Sequence, residues 1–211
     1  MATHIELISL NRNAKIRVKN ESGSYQQLST TVGCWIDIDD VYNRKQLNHH
    51  GSIGQYLPID YNSGGGNTPT NLLTTEKRVP LVGLNTAYNG TNKSNIRVKN
   101  VEGTDVSLLV DEAIEVLVGG STNDQRKIAA YNRRQLNHHR SIGQYTFGWG
   151  PSYRALNRSV KVRLWNNDNE EYETLKSTEN SNTFYPEDSE LTRRTLNHHA
   201  SIGQFIPVAW D

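Results

Sequence analysis

Three copies of one polar motif carry six of the seven histidines in this chain. The copies read LNHHGSIGQY at 47–56, LNHHRSIGQY at 136–145 and LNHHASIGQF at 196–205. A hydrophobic skeleton needs only the leucine, the isoleucine and the final aromatic residue of each copy. The asparagine, histidine, serine and glutamine residues recur as well, which indicates that their side chains form hydrogen bonds or coordinate a ligand.

A sugar is the ligand class that these side chains fit best. Each sugar hydroxyl donates and accepts hydrogen bonds, and asparagine, glutamine, serine and neutral histidine offer both functions. Three weak sites on one body gain avidity for a multivalent surface. The sequence therefore predicts a non-enzymatic carbohydrate-binding protein, a lectin with three equivalent sites, whose partners are glycans or glycoconjugates. The predicted ligand-binding residues are Asn48, His49, His50, Ser52, Gln55, Asn137, His138, His139, Ser141, Gln144, Asn197, His198, His199, Ser201 and Gln204.

Aromatic rings near the motif are candidates to stack on the C–H face of a sugar. These rings are Tyr42, Tyr131, Tyr56, Tyr145, Phe205, Trp149 and Trp210. The two histidines of each pair are expected to have different tasks, because adjacent side chains on extended backbone point to opposite faces. One histidine of each pair would then face inward and the other outward.

Two alternatives to sugar binding stay open. In the first, the motif is a structural clasp in a toxin component or in a surface or particle protein, with Asn48 and Ser52 capping turns and Gln55 joining units. In the second, one histidine from each unit meets the others on a common axis, and the three imidazoles hold a zinc-like ion. Neither a cofactor nor a resident metal is part of the preferred interpretation.

An anion is a further candidate ligand, because paired cations precede each motif. They are Arg44 and Lys45, Arg133 and Arg134, and Arg193 and Arg194. With imidazole, such pairs suit phosphate, sulfate or a sugar that carries a carboxylate. Nucleic acid is disfavoured, because the formal net charge is only +1 and acidic residues lie just upstream of the pairs.

Enzymatic activity is also disfavoured. An acid, a base or a nucleophile with its partner normally occurs once in a chain, whereas the chemical residues here occur three times. The single cysteine, Cys34, excludes an intramolecular disulfide and is expected to be a small buried residue. The N-terminal stretch has no signal-peptide pattern and no run of apolar residues is long enough to span a bilayer. We expect a soluble protein, cytoplasmic or released without a signal peptide.

Strand patterns surround each motif. Alternating apolar and basic residues predict strands at 14–20, 94–100 and 159–165, each followed by a turn and a second strand. A third strand is predicted at 34–38 and at 114–118. Acidic residues followed by basic ones predict a short helical turn before each motif. The low hydrophobic content of 35% and the mean hydropathy of −0.70 favour a β-rich fold over a helical bundle.

The repeated pattern predicts an all-β domain made of three units, at about 10–59, 93–150 and 155–211, with an insertion at about 60–92. Units this small cannot each bury a core, so they are expected to surround a pseudo-threefold axis as in a β-trefoil or a β-prism. Three serial mini-domains are the alternative. In organisation the chain resembles the threefold-repeat lectins as a class, although the Gln-x-Trp signature of ricin-type trefoils does not occur in it.

Overall fold

The computed structural model describes residues 3–13, 15–51, 56–62, 64–84, 86, 92–140, 145–147, 152–156, 162–166, 169–175, 190–200 and 205–209. Within these ranges the chain is mostly β-sheet, with fourteen strands and three helices. None of the helices described is long and apolar enough to cross a membrane.

The described elements fall into three successive sets of similar order, although the third set has no described strand between its hairpin and its helix. The first set is β1 (His4–Ser9), β2 (Arg17–Lys19), β3 (Tyr25–Gln27), β4 (Cys34–Asp37), α1 (Val41–Gly51) and β5 (Tyr56–Asn62). The second set is β6 (Lys77–Gly83), β7 (Lys93–Lys99), β8 (Asp105–Leu109), β9 (Ile114–Gly119), α2 (Asn123–Arg140) and β10 (Tyr145–Phe147). The third set is β11 (Ser152–Ala155), β12 (Arg163–Asn166), β13 (Glu171–Thr174), α3 (Glu190–Ala200) and β14 (Phe205–Ala209).

The sheets have matching connections in the three sets. In the first, β1 lies between β4 and β5, and in the second, β6 lies between β9 and β10; all these pairs are antiparallel. In the third set, β11 pairs with β14. The strand that follows each motif therefore returns to the first strand of its own set. These first strands lie before the hairpins, and β6 lies inside the range 60–92 that the sequence analysis assigned to an insertion.

The hairpins lie where the sequence predicts them. They pair β2 with β3, β7 with β8, and β12 with β13. The expected alternation is also confirmed, since the apolar residues in and just before the first hairpin strands are buried: Ile16, Val18, Ile96, Val98, Val162 and Leu164. Val160, which belongs to the same expected pattern, lies outside the described residues. Two of the turns share one geometry, with Gly23 at φ 83° and Gly103 at φ 86°. In that left-handed region glycine has no steric penalty.

The segment between β5 and β6 is held against the first set of strands. Asn67 donates from its backbone N–H and its side-chain amide to Glu21, at 3.1 Å in each case. The indole of Trp35 donates to the carbonyl of Thr68 at 3.2 Å. The backbone N–H of Gly33 donates to the carbonyl of Thr70 at 2.8 Å. The stretch 60–92 therefore contains the end of β5, a segment bonded to the first set, and the whole of β6.

Two hydrophobic clusters form the described core. One is centred on the first set and includes Leu47, Tyr56 and, from the third set, Leu156. The other is centred on the second set and includes Leu136 and Tyr145, and it continues into the first set through residues of β1 and β5. The expectation for Cys34 is confirmed, because it is 2% exposed and burial raises the pKa of its thiol to about 12.

The helices correct one expectation about the motif. Short helical turns were expected before it, but each helix continues through the histidine pair, so the backbone there is not extended. Strong start signals explain the helices: the N–H of Asn43 donates to the Asp40 carboxylate at 3.1 Å, and Thr122 and Gln125 form a capping box. No proline or β-branched residue lies between Asn43 and Gly51 or between Asn132 and Arg140 to stop the helix.

Candidate functional site

The first three polar residues of each motif lie in the last turns of a helix. Asn48, His49 and His50 are in α1, and the corresponding residues of α2 are Asn137, His138 and His139. In α3 they are Asn197, His198 and His199. The predicted serine and glutamine residues lie outside the described residues: Ser52, Gln55, Ser141, Gln144, Ser201 and Gln204.

Exposure follows the same order at each helix end. The motif leucines, Leu47, Leu136 and Leu196, are 0% exposed and anchor the helices in the core. The asparagine after each leucine is half-buried, and the histidine after it is exposed. The second histidine is half-buried at His50 and His139. The two histidines therefore differ in exposure, as expected, but the cause is a helical rotation of about 100° per residue and not the alternation of a strand.

The rings of each described pair contact one another edge to face. The ring centroids of His49 and His50 are 4.9 Å apart at 81°, and those of His138 and His139 are 5.0 Å apart at 79°. Histidines near a helix C-terminus also interact favourably with the helix dipole when protonated. These contacts fix the orientation of the exposed ring.

The side-chain oxygen of the motif asparagine is buried in all three helices and has no hydrogen-bond partner among the described residues. The Oδ1 atoms of Asn48, Asn137 and Asn197 are buried, and none accepts a hydrogen bond from the residues that the structure describes. Leaving a buried acceptor without a donor costs about 1–3 kcal/mol. Native structures contain few such atoms, and three at corresponding positions require an explanation.

Two of the tyrosines proposed as sugar-stacking rings have another role. Tyr56 and Tyr145 are each 1% exposed, so their faces are not accessible to a ligand. Their hydroxyls donate to the carbonyls of Leu47, at 3.1 Å, and of Leu136, at 3.0 Å. The prediction for these two rings is wrong, because the strand after the motif turns its first side chain toward the helix. Tyr42 and Tyr131 are half-buried, and the side chains of Trp149, Phe205 and Trp210 lie outside the described residues.

A pair of buried asparagines with a structural role was missed by the sequence analysis. Asn43 accepts from the N–H of Lys19 at 2.8 Å and donates to the carbonyls of Lys19 and Asp37 at 2.9 and 3.1 Å. Asn132 makes the corresponding three bonds, at 2.7, 3.0 and 3.0 Å, with Lys99 and Leu117. The recurring signal is an asparagine four residues before the motif leucine, and in α3 this position is Thr192.

A metal centre on a common axis is not formed by the described side chains. No group of three or more histidine, cysteine, aspartate or glutamate residues that could hold an ion lies among them. The exposed histidines of the three helices, His49, His138 and His198, belong to this described part, so they do not meet in one site.

A cleft of about 860 Å³ beside α2 has one motif residue, Asn137, in its wall. Ligand pockets commonly have volumes of about 300–1,000 Å³. The lining residues are Leu10, Asn11, Arg12, Asn13, Thr30, Thr31, Leu73, Arg126, Ala130, Arg133, Arg134 and Asn137. Burial lowers the pKa of the Arg133 guanidinium, which nevertheless stays protonated at neutral pH. We call this concavity the arginine cleft.

A smaller pocket of about 290 Å³ lies between the third hairpin and α3. Its wall contains Trp165 and Tyr172, whose rings meet edge to face at 5.1 Å, and the hydroxyl residues Thr192 and Thr195. The repeated motif gives no indication that Trp165 lines a pocket. The available signal was an aromatic residue at a position where the other two hairpins have lysine, Lys19 and Lys99.

No protein-family model, no characterised protein and no solved structure matches this chain.

Proposed function

We propose that this protein binds carbohydrate at three sites, one at the C-terminal end of each of α1, α2 and α3. Each site contains the motif asparagine and the exposed histidine that follows it, and the serine and glutamine residues of the motif are proposed to complete it. The protein would act as a multivalent lectin, without catalysis, on glycans or glycoconjugates presented on a surface.

The observation that carries this proposal is the unpartnered Oδ1 of Asn48, Asn137 and Asn197. This oxygen is buried in the unliganded chain, so the proposal requires the side chains that cover it to move when the ligand binds. A carbonyl oxygen without a donor in the chain is satisfied when a ligand supplies one, and a sugar hydroxyl is a suitable donor. The exposed imidazole beside it supplies both a donor and an acceptor when neutral. A metal ion fits this oxygen less well, because no carboxylates or thiols are grouped with the histidines among the described residues.

We also propose that the three sets of elements form three structural repeats around a pseudo-threefold axis. The matching sheet connections, the paired contacts of Asn43 and Asn132, and the paired contacts of Tyr56 and Tyr145 support this arrangement. Such a body would present its three sites in different directions, which suits binding to a multivalent surface. Closure of the sheets into a trefoil or a prism remains part of this proposal.

A structural clasp is the second candidate, and a specific contact favours it. The hydroxyls of Tyr56 and Tyr145 tie the strands after the first two motifs to a carbonyl near the end of the preceding helix. The motif leucines and tyrosines are therefore structural. On this account, the asparagines and histidines would complete the same clasp, and removing them would destabilise the chain.

The proposal is tested by a glycan array followed by calorimetric titration with the best ligand. Wild-type protein is expected to bind about three ligands per chain, because each motif offers the same groups. Substituting Asn48→Ala, Asn137→Ala or Asn197→Ala singly is expected to remove one site each, and the triple variant is expected to lose binding. The matched control is Asn92→Ala, an exposed asparagine whose amide contacts Asp111 at 3.1 Å, away from the motif helices.

Two results would overturn the lectin proposal. One is the absence of binding to every glycan on the array at concentrations that reveal weak monovalent sites. The other is glycan binding that the triple asparagine variant retains with unchanged stoichiometry. Either result would leave the clasp as the account of the motif.

A further inference from the structure

The arginine cleft concentrates positive charge in a chain that is nearly neutral overall. Four of its lining residues are arginines, namely Arg12, Arg126, Arg133 and Arg134, and none of its described lining residues is acidic. The formal net charge of the whole chain is only +1. The cleft is therefore a local concentration of positive charge, which the net charge of the whole chain does not indicate.

These four guanidinium groups are not neutralised within the described residues. Arg126 donates to the carbonyls of Leu73 and Ser121 at 3.0 and 3.1 Å, and Arg133 donates to the carbonyl of Val118. Elsewhere cations have carboxylate partners, as in Lys77 with Asp60 at 2.7 Å and Lys19 with Asp40 at 3.3 Å. No described carboxylate forms an ion pair with any of the four cleft arginines. Backbone carbonyls thus position two of the guanidinium groups without neutralising them. Their positive charge is therefore available to attract an anionic ligand.

The additional length of α2 supplies one of the four arginines of the cleft. This helix has 18 residues, whereas α1 and α3 have 11 each, so α2 is longer by 18 − 11 = 7 residues, about two turns. Arg126 lies in these first turns. From Arg126 through Ala130 and Arg133 to Asn137, the lining residues follow helical spacing on one face, over about 16 Å at 1.5 Å per residue.

The opposite wall comes from the first set of elements. It contains Asn11, Asn13, Thr30 and Thr31, whose amides and hydroxyls donate and accept hydrogen bonds. No described lining residue is aromatic, so the cleft lacks the stacking surfaces that proteins use for single-stranded nucleic acid bases. Asn137, whose buried Oδ1 has no described partner, lies in the same wall as Arg133 and Arg134.

We infer that the arginine cleft binds an acidic oligosaccharide, in which sulfate or carboxylate groups contact the arginines and hydroxyls contact Asn137 and the opposite wall. This inference rests on the proposed carbohydrate binding and makes the second site different from the other two. At the first helix, Arg44 corresponds to Arg133 and is 8% exposed, and α1 begins too late to supply a counterpart of Arg126.

The test is a fluorescence titration of the full chain with labelled oligosaccharides of equal length. The probes are a heparin-derived hexasaccharide, which is sulfated, a hexagalacturonate, which is carboxylated, and a neutral hexasaccharide. A labelled oligothymidine serves as the nucleic-acid arm. Wild-type protein is expected to bind at least one acidic hexasaccharide more tightly than the neutral one, with an affinity that falls as salt is added. The stronger of the two acidic probes identifies the anionic group.

The variant is Arg12→Gln with Arg134→Gln, because both side chains are exposed and neither has a described partner. Two lost charge-assisted contacts are expected to weaken acidic binding by about tenfold or more. The control is Lys127→Gln with Arg97→Gln, which removes the same charge from exposed positions outside the cleft. The control is expected to stay within about twofold of wild type, since distant surface charges are screened. Binding of the neutral hexasaccharide is expected to be equal in both variants.

Several outcomes would overturn the inference, and they differ from a failure of the lectin proposal. Equal weakening in the cleft variant and the control would show that total charge and not the cleft attracts the ligand. Oligothymidine that binds as tightly as the acidic sugars, with the same dependence on Arg12 and Arg134, would show a site for polyanions in general. Neutral glycan binding that depends on Asn48, Asn137 and Asn197, with no gain from acidic groups, would refute only the acidic ligand. No binding of any glycan would refute both proposals.

Discussion

The helices α1 and α2 end alike and begin differently. At their C-terminal ends, Leu47 and Leu136 occupy the core and each accepts a tyrosine hydroxyl at its carbonyl, at 3.1 and 3.0 Å. At their N-terminal ends, α1 starts beside an aspartate cap, whereas α2 extends about two turns further and carries Arg126. The shared ends explain how one motif is positioned, and the longer beginning of α2 explains how Arg126 comes to line the arginine cleft.

The two helices also differ internally, between asparagines that are satisfied within the chain and asparagines that we propose contact a ligand. Asn43 and Asn132 make three hydrogen bonds each to neighbouring strands, so their side chains are satisfied within the chain. Asn48 and Asn137 are five residues further along the same helices, and their buried Oδ1 atoms have no described donor. Asparagines on one helix therefore differ in whether the described chain satisfies their side chains, and this difference is the basis for proposing different roles for them.

The largest expected effect concerns the asparagines that tie the helices to the strands. Asn43→Ala and Asn132→Ala are each expected to lower the free energy of unfolding by about 3 kcal/mol, because backbone groups of Lys19 or Lys99 lose their partners in a buried place. Urea denaturation measures the loss. The exposed substitution Asn92→Ala is expected to cost less than about 0.5 kcal/mol. A neutral effect at either buried asparagine would break the equivalence of the two helices.

A smaller effect is expected where the strand after the motif contacts the helix. Tyr56→Phe and Tyr145→Phe keep the buried rings and remove one hydrogen bond each, so the free energy of unfolding should fall by about 1 kcal/mol in both variants. Tyr25→Phe, at a ring that is 52% exposed, is the control and should change little. Clearly unequal losses at Tyr56 and Tyr145 would show that the two motif ends are not held alike.

The smallest expected effect is a change in the free energy of unfolding with pH. It should arise from the first set of strands and not from the second. Glu6 of β1 is 0% exposed and accepts from the Thr70 hydroxyl at 2.9 Å, whereas the corresponding position of β6 is Pro80. Burial raises the pKa of Glu6, although its hydrogen bonds with Thr70 oppose the rise. The folded pKa therefore exceeds the unfolded one, so the contribution to stability is present below the unfolded pKa and is lost as the pH rises through the folded pKa.

The substitution Glu6→Gln tests this prediction, because it replaces the titrating carboxyl group with an amide that does not titrate. Unfolding free energies measured between about pH 4 and about pH 8 should show the variant gaining stability relative to wild type as the pH rises. Glu112→Gln, at an exposed residue, is the matched control. Its free energy of unfolding should change with pH in the same way as that of wild type. A difference between Glu6→Gln and wild type that stays constant with pH would contradict the assigned burial of the charge.

Local patterns predicted the hairpins because the alternation of Ile96 and Val98 with Arg97 is a property of a few neighbouring residues. The same kind of rule failed at the histidine pairs. Those residues were assigned to extended backbone, although the capping residues Thr122 and Gln125 start a helix that no later residue stops. The difference in exposure between His138 and His139 was predicted correctly, but from the wrong periodicity.

The sequence patterns did not predict contacts between residues that are far apart in the chain. Arg133 and Arg134 were recognised as candidates for an anion site, but Arg12 lies more than a hundred residues away and joins them only through tertiary packing. Tyr145 was assigned to a ligand because its sequence neighbours are polar, and its true partner is the carbonyl of Leu136. The direction in which a side chain points depends on the neighbouring element, which periodicity alone does not identify.

The central claim is that the motif asparagines face a ligand and not the chain itself, and the stability of one variant tests it most directly. The triple variant Asn48→Ala, Asn137→Ala and Asn197→Ala is expected to have a free energy of unfolding equal to or higher than that of wild type. It removes three unsatisfied buried acceptors and replaces asparagine with the better helix former alanine. A loss of more than about 3 kcal/mol would show that these side chains hold the fold together, and the account of three ligand sites would be wrong.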